Sequence, residues 1–283
     1  MSALTQNTPE WLEFRRDKLG ASDAPIILGV SPWKTPYDLW IEKLGLSKPY
    51  MNDAMKRGHD LEDTARFEFE LQNTFSVSPK VLVHPEYEWM IASLDGISED
   101  GKKIVEIKCP GKQDHSQALS GEVPEKYYPQ LQHQIEVAGV DEAYYFSWTT
   151  GSFVTLIIER DDAYIKNMIE KEKEFYACLQ ELTPPPLGNK DYAQRNDGLW
   201  QEVSERWRSA KEHLSALEKT EKELRETLIH LAADKNCIGA GVKVLKTARR
   251  GSIDYREIPE LSGVDLEQYR KANITCWRVT TNG

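Results

Sequence analysis

Within residues 81–158 the apolar residues follow the two-residue period of β-strands in several separate segments. Five short segments there are rich in β-branched and aromatic residues, namely 81–84, 87–94, 103–109, 143–148 and 153–158. Segments with helical spacing precede them at 11–20, 35–45 and 60–72, interrupt them at 129–138 and follow them at 161–182. We therefore predict an α/β fold in which a mixed central sheet is flanked by helices.

Residues 183–188, Thr-Pro-Pro-Pro-Leu-Gly, interrupt every regular pattern. Consecutive prolines favour a stiff, extended connector, so we expect one domain over residues 1–187 and a C-terminal appendage over 188–283. The appendage is predicted to contain one long helix and a small β unit within 239–277, and we expect it to mediate assembly or to dock a partner protein. Its helix carries a heptad stripe made of Trp200, Val203, Trp207, Ala210, Leu214, Leu217, Glu221, Leu224, Leu228 and Leu231.

The heptad stripe requires a partner, because an apolar helix face is stable only when it is covered. Three partners stay open at this point: another subunit, the N-terminal domain, or the β unit that follows the helix. Packing within the chain is the commonest arrangement for such a stripe.

The balance of charges limits the ways in which this chain could bind nucleic acid. Its net charge is −10 and its pI is about 5.3. Proteins that coat nucleic acid by bulk attraction carry a basic domain or stripe, so any DNA contact here is expected to be local and assisted by metal ions.

No apolar stretch reaches the ~20 residues of a membrane span, and the first residues lack a secretory signal. We expect a cytoplasmic protein with no membrane partner.

The four cysteines, Cys109, Cys178, Cys237 and Cys276, are widely separated. Zinc knuckles and iron–sulfur clusters require pairs that are two to four residues apart. We therefore predict reduced, structural cysteines.

Asp95 and the tripeptide Glu106-Ile107-Lys108 are the main candidates for catalysis. Asp95 is expected at the end of one strand and Glu106 within the next, where Glu106 and Lys108 share a face because side chains alternate along a strand. Two carboxylates and an ammonium would then meet at the edge of the sheet. Phosphodiester hydrolysis uses such a set, since carboxylates hold Mg²⁺ or Mn²⁺, the metal activates water and a cation offsets phosphate charge. The alternative is a solvated face with a cross-strand ion pair.

Two flanking helices add polar groups to this set. Glu62 is predicted on a helix from which it could reach a metal at the sheet, although an ion pair with Arg66 four residues later is an alternative. Tyr127, Gln130 and Gln132 lie around the start of the 129–138 helix, where backbone N–H groups favour anions. A polar helix face is the alternative for these three residues.

In this order and spacing, the motifs resemble the lambda exonuclease and YqaJ viral recombinase family, within the PD-(D/E)XK nucleases. The resemblance covers about residues 9–182 and includes Trp11, Arg15 and the segment Gly-Ala-Ser-Asp at 20–23. Its principal motifs are Gly58-x3-Glu62, Asp95-Gly96, Glu106-x-Lys108-Cys109-Pro110 and Tyr127-x2-Gln130-x-Gln132. It departs from the family pattern at Leu94, where the PD signature has proline, but it is the aspartate that contacts metal.

The resemblance implies a PD-(D/E)XK restriction-endonuclease-like core and a specific set of roles. Asp95, Glu106 and the Ile107 carbonyl would bind one metal ion, Glu62 would lie near a second, and Lys108 would be the catalytic lysine. Tyr127 and Gln130 would position the phosphate or the attacking water. Arg15, Ser22 and Gln132 are the candidates for binding substrate phosphate; Arg15 suits the 5′ phosphate because a guanidinium binds phosphate oxygens at two points.

The resemblance also implies a 5′-to-3′ exonuclease that degrades one strand of duplex DNA from an end and leaves 3′ single strands for recombination. A homo-oligomer, namely a ring-like trimer, and a single-strand annealing protein would be its partners. Two rival functions remain. One is an endonuclease of the same superfamily, and the other is a non-catalytic module for DNA binding or scaffolding.

Overall fold

The structure, a computed structural model, describes residues 8–47, 53–249, 251, 258, 259 and 264. The chain divides into two compact units between Tyr192 and Ala193. None of the helices formed by the described residues combines the length and the apolar character of a membrane-spanning segment.

Helices dominate the part of the chain that precedes residue 73. Thr35 and Asp38 form a reciprocal capping box at the start of one of them, since each side chain accepts the backbone N–H of the other residue, at 3.1 and 3.0 Å. Gly45, with φ of 71°, follows the end of the same helix. The elements are α1 (Pro9–Phe14), β1 (Leu19–Gly20), α2 (Ala24–Ile27), α3 (Pro36–Lys43) and α4 (Asp53–Gln72).

Six strands within the described residues form one mixed sheet. The order is β1, β3, β4, β5, β6, and β2 also pairs with β3. The pairs β1–β3 and β4–β5 are parallel, and the others are antiparallel. The predicted mixed sheet is confirmed, and its longer strands are β2 (Val77–Val83), β3 (Met90–Ser98), β4 (Ile104–Lys108), β5 (Glu142–Thr149) and β6 (Ser152–Glu159).

Strand β3 has a bulge next to the candidate site. The pairing on β2 advances by two residues, from Lys80 to Ser78, while the pairing on β3 advances by three, from Leu94 to Ile97. The extra residue therefore belongs to the stretch that contains Asp95. Asp95 therefore lies within β3, and the prediction that it ends a strand is wrong. A bulge bends its strand and re-aims a side chain.

Helices cover both faces of the sheet. On one face α6 (Tyr128–Ala138) and α7 (Asp162–Gln180) pack against β3 and β5, and on the other face Ala65 and Phe69 of α4 pack against β4. A further short helix, α5 (Lys112–Leu119), follows β4. Val105 and Ile107 belong to the α4 side, so Glu106 and Lys108 face α6, which confirms the predicted alternation.

The second unit contains the predicted long helix and a short β-hairpin, while most of the β unit predicted within 239–277 lies outside the described residues. Helix α8 (Gly198–Ala232) has 35 residues, and the Asp197 side chain caps it by accepting the Trp200 N–H at 3.0 Å. Strands β7 (Cys237–Gly239) and β8 (Val242–Val244) form an antiparallel hairpin after it.

The cysteines that the structure describes are free thiols. These are Cys109, Cys178 and Cys237, and Cys276 lies outside the described residues.

Several elements differ from the sequence-based predictions. Strand β2 begins at Val77 instead of residue 81, and β3 covers Met90–Ser98 instead of 87–94. Helix α1 ends at Phe14, well before the predicted residue 20, because Leu19 and Gly20 pair with β3 as a short parallel strand. Helix α4 begins at Asp53, seven residues before the predicted residue 60. Helix α5 was not predicted, because Lys-Gln-Asp-His-Ser-Gln-Ala-Leu has little apolar periodicity.

Gly96 permits the close packing beneath the bulge, and its replacement tests this arrangement. A Cβ atom at Gly96 would lie 2.5 Å from Val77 Cγ2 and 2.8 Å from Val105 Cγ1. We expect Gly96→Ala to lower the free energy of unfolding by about 1–3 kcal/mol through overpacking, measured by urea denaturation. Gly58→Ala is the matched control, since Gly58 lies within α4 with open space around it and should gain helix propensity. Equal stability of the Gly96→Ala variant and the parent would contradict this view of the bulge.

Candidate active site

The bulge in β3 directs the Asp95 carboxylate at the neighbouring strand. The last backbone pair between β3 and β4 is Gly96 with Val105. Beyond it, Asp95 Oδ2 accepts the backbone N–H of Ile107 at 2.8 Å, and the Asp95 carbonyl accepts Arg66 Nε at 2.8 Å. The carboxylate thus takes the place of the next backbone acceptor, and Arg66 of α4 satisfies the carbonyl at the bulge.

Glu106 is buried in a cage of donors from β4 and α6. Its side chain is 2% exposed. Oε1 accepts hydrogen bonds from Lys108 Nζ and from Gln130 Nε2, the latter at 2.6 Å, and Oε2 accepts one from Gln134 Nε2. Gln130 and Gln134 can both reach the carboxylate because residues four apart lie on the same face of a helix. The cage fixes the position and orientation of the Glu106 carboxylate.

Burial and neighbouring charges shift the pKa values of Asp95 and Lys108 in this cluster. Burial, together with the carboxylates of Glu106 and Glu62, raises the pKa of Asp95 well above its ordinary value, and Lys108 only partly offsets this. Burial alone would lower the pKa of Lys108, but Glu106 and Asp95 outweigh it and the pKa is raised. Lys108 is therefore a firmly held cation, and a further cation would be favoured beside Asp95.

Glu62 of α4 lies close enough to influence the cluster. Arg66 Nη2 donates to Glu62 Oε1 at 2.7 Å, so the ion pair considered from the sequence is present. The same guanidinium bonds the Asp95 carbonyl, which brings Glu62 to the bulge. Glu62 contributes to the raised pKa of Asp95, and after burial it is the main cause that raises the pKa of the Cys109 thiol to about 11. Pairing and proximity to the site occur together.

Tyr127 lies beside the ammonium of Lys108. Its ring centroid is 5.3 Å from Lys108 Nζ, and its hydroxyl donates to Asp114 Oδ2 at 3.3 Å. Burial raises the pKa of Tyr127 to about 12 despite the nearby Lys108, so the phenol stays protonated near neutral pH. Asp114 belongs to α5, the helix that was not predicted, and it also forms an ion pair with Lys126 at 2.7 Å.

The glutamines of α6 require one correction. Gln132 is fully buried, donates to the Glu159 carbonyl at 2.8 Å and accepts the Asp161 N–H at 3.0 Å. It therefore joins α6 to the end of β6 and the start of α7, and the prediction that it binds phosphate is wrong. Gln134, which was not predicted, contacts Glu106 instead. The four-residue spacing from Gln130 was the signal that could have identified it.

Arg15 and Ser22 lie on the segment between α1 and α2. The Arg15 guanidinium is 3.7 Å from Asp23 Oδ1 and 4.6 Å from the Trp11 ring centroid. Ser22 is exposed, next to the buried Asp23. Burial raises the pKa of Asp23, but Lys43, which is 2.7 Å away, and Arg15 outweigh it, and the pKa is lowered. A guanidinium has five N–H donors, so this pairing leaves donors for a phosphate.

The donor set suits a hard divalent cation, although its geometry is not that of a closed cage. No group of three His, Cys, Asp or Glu side chains in the described ranges is arranged to hold a metal ion. Asp95 and Glu106, however, supply the oxygen ligands that Mg²⁺ prefers, since Mg²⁺ uses one or two carboxylates together with water and phosphate. Gln134 Oε1 is buried and accepts no hydrogen bond from the described residues. A water or a hydrated cation would satisfy it, so these residues fit a metal.

Sequence comparison gives a family match over the part of the chain that carries the site. Residues 10–141 match the YqaJ-like viral recombinase domain, which confirms the resemblance inferred from the motifs. Over 174 residues the chain is 37% identical to the uncharacterized protein YqaJ of Bacillus subtilis (strain 168), covering 59% of this chain and 54% of that protein. The uncharacterized protein R354 of Acanthamoeba polyphaga mimivirus is 27% identical over 152 residues, covering 48% and 28%. The chain thus spans about half the length of the first relative and less of the second.

Structural comparison identifies a nuclease with the same core. The alkaline exonuclease LHK-Exo from Laribacter hongkongensis superimposes with a TM-score of 0.55 and 26% identity, over 62% of this chain and 94% of that chain. Its complex with dAMP superimposes with the same TM-score and 27% identity. The predicted PD-(D/E)XK-like core, with its mixed sheet between helices, is therefore confirmed.

Asp95→Asn tests the electrostatic description of the cluster in the absence of metal. The folded-state pKa of Asp95 lies well above its ordinary value of 3.8, so ionisation destabilises the fold, increasingly as the pH rises from that value to the raised one. The neutral amide retains an acceptor for the Ile107 N–H. We expect Asp95→Asn to raise the free energy of unfolding at pH 8 in chelator by about 0.5–2 kcal/mol, with the gain shrinking as the pH falls. A variant less stable than the parent at pH 8 would refute the description.

Proposed function

We propose that this chain is a Mg²⁺-dependent exonuclease that hydrolyses phosphodiester bonds of one strand of duplex DNA. The observation that carries the proposal is the pairing of Asp95 at the bulge with the caged Glu106 and its neighbour Lys108. The exonuclease with the same core, and its complex with the deoxynucleoside monophosphate dAMP, support the reaction and the substrate class.

The proposed roles follow from the positions of the side chains. Asp95, Glu106 and the Ile107 carbonyl would hold one Mg²⁺ or Mn²⁺ ion, and Glu62 would lie near a second. Such ions, when bound, lower the pKa of a coordinated water and neutralise phosphate charge. Lys108, whose raised pKa keeps it protonated, would bind the phosphate or orient the attacking water. Gln130 and Tyr127 would fix Glu106 and Lys108 in place, one through a hydrogen bond and the other through its ring.

The direction of digestion is proposed to be 5′ to 3′, with Arg15 and Ser22 binding the 5′ phosphate of the degraded strand. The products would be 3′ single strands for homologous recombination, and a single-strand annealing protein would receive them. A ring-like trimer that encloses DNA would also explain how a protein with a net charge of −10 stays on its substrate, since enclosure replaces bulk attraction.

Lys108→Ala tests the catalytic centre. We expect cleavage of linear duplex DNA to fall by about 100-fold or more, in the range for the loss of a proton-transfer or positioning group, with an unchanged circular dichroism spectrum. Lys102→Ala removes an exposed lysine from the turn before β4 and should retain activity. Chelator should abolish cleavage by the parent. If Lys108→Ala cleaves at the parental rate, its assigned role is wrong.

A panel of DNA substrates separates the proposal from its rivals. The parent should digest linear duplex DNA and leave covalently closed circles intact, because an exonuclease requires an end. Rapid cutting of closed circles would indicate an endonuclease of the same superfamily. Binding of DNA without cleavage of any substrate, with Mg²⁺ or Mn²⁺ present, would indicate a non-catalytic module.

Arg15→Gln tests the recognition of the 5′ end. We expect KM for 5′-phosphorylated duplex to rise roughly tenfold, because one charge-assisted contact to phosphate is lost, while KM for 5′-hydroxyl duplex stays the same. Lys18→Gln, which changes a cation on the same segment, is the matched control and should change neither constant. Equal effects of Arg15→Gln on both ends would remove Arg15 from 5′-phosphate recognition.

A further inference from the structure

Helix α8 carries a long apolar stripe that the described part of the chain leaves exposed. Trp200 is 52% exposed, Leu217 67% and Leu231 72%. The stripe runs over nearly the whole helix at alternating steps of three and four residues. A contiguous apolar face of this length on an exposed helix is typical of an interaction surface.

The two halves of the stripe differ in shape. The hairpin β7–β8 flanks the C-terminal half, where Leu224 and Leu228 of α8 and Val242 and Val244 of the hairpin line an open groove of about 590 Å³. In the N-terminal half the stripe carries the large side chains Trp200 and Trp207. One half is thus concave and the other bears the bulkiest side chains.

Glu221 determines which arrangement of two such helices is possible. It occupies an apolar position of the heptad stripe, where its nearest described cation is Arg225, 3.7 Å away. In a parallel, in-register pair of helices, Glu221 would face its own copy, and two carboxylates would approach each other in the seam. In an antiparallel pair centred between Leu214 and Leu217, Glu221 faces Ala210, which is small and uncharged. The antiparallel pair avoids the repulsion.

The same antiparallel register matches the other positions of the stripe. Apolar residues of the N-terminal half fall opposite leucines of the C-terminal half, in the pairs Trp200 with Leu231, Val203 with Leu228, and Trp207 with Leu224. Of these leucines, Leu224 and Leu228 line the groove. At the edge of the seam, Lys211 of one helix comes next to Glu218 of the other, and twofold symmetry creates this contact twice. In the parallel pair Lys211 would instead meet Arg206. Charge and size therefore favour the same arrangement.

We propose that α8 is a self-association element, in which two copies of this chain pair their α8 helices antiparallel and each groove receives Trp207 of the other copy. The association is a property of the second unit and does not depend on the nuclease function proposed above. It would double whatever assembly the nuclease units form.

Charge reversal tests both the pairing and its direction in the full-length chain. Lys211→Glu alone and Glu218→Lys alone each place like charges at both symmetric contacts, so the dissociation constant should rise roughly tenfold, seen as a fall in mass by sedimentation equilibrium. The double variant Lys211→Glu/Glu218→Lys restores opposite charges and should recover the parental mass. Lys219→Glu, an identical charge change on the opposite face of α8, should have no effect.

The alternatives give different results in the same experiment. Stronger association of Lys211→Glu than of the parent would indicate a parallel pair, and this would overturn the proposal. If none of the charge variants differs in mass from the parent, the stripe must be covered by another segment of this chain or by a different protein. That result would also overturn the proposal. Digestion of linear duplex DNA, measured on each variant, reports separately on the nuclease proposal.

Discussion

The exchange of one backbone hydrogen bond for a side-chain hydrogen bond organises this molecule. Where the ladder between β3 and β4 stops, the Asp95 carboxylate accepts the Ile107 N–H that a backbone carbonyl would otherwise take. The bulge that makes this possible leaves the Asp95 carbonyl outside the ladder, and Arg66 of α4 bonds it. A buried backbone carbonyl without a hydrogen-bond donor would lower the stability of the fold. One helix therefore completes the local structure and, through the ion pair of Arg66 with Glu62, brings a further carboxylate towards the site.

The buried Glu106 carboxylate is surrounded by hydrogen-bond donors of two kinds. Lys108 is the one cation that bonds it among the described residues, and the other donors are the neutral amides of Gln130 and Gln134. Amides fix the orientation of a carboxylate without cancelling its charge. Burial, and after it the charge of Glu106, therefore raises the pKa of Asp95. A bound cation would stabilise a site built in this way, as the proposed metal-dependent function requires.

Periodicity predicted the sheet and the faces of its strands, whereas local exceptions escaped it. Glu106 and Lys108 were assigned to one face correctly because β4 is a regular strand. Asp95 was placed at a strand end, yet it lies in a bulge that depends on the partner strand β2. Gln132 was assigned by the motif, but the geometry of a helix directs it away from Glu106 and selects Gln134. Contacts between distant segments, such as Tyr127 with Asp114, have no signature in local sequence.

The apolar stripe of α8 shows that a sequence can predict a helix without identifying the surface that covers it. Seven-residue spacing predicted the helix correctly, because a periodic face is a property of the segment itself. It did not identify the partner, because apolar spacing alone is satisfied by any complementary apolar surface. The deviations from the ideal pattern are more informative. A charged residue in the seam, an alanine at the matching position and bulky residues in only one half all restrict the partner, so the irregular members of a repeat carry the specificity that its regular members lack.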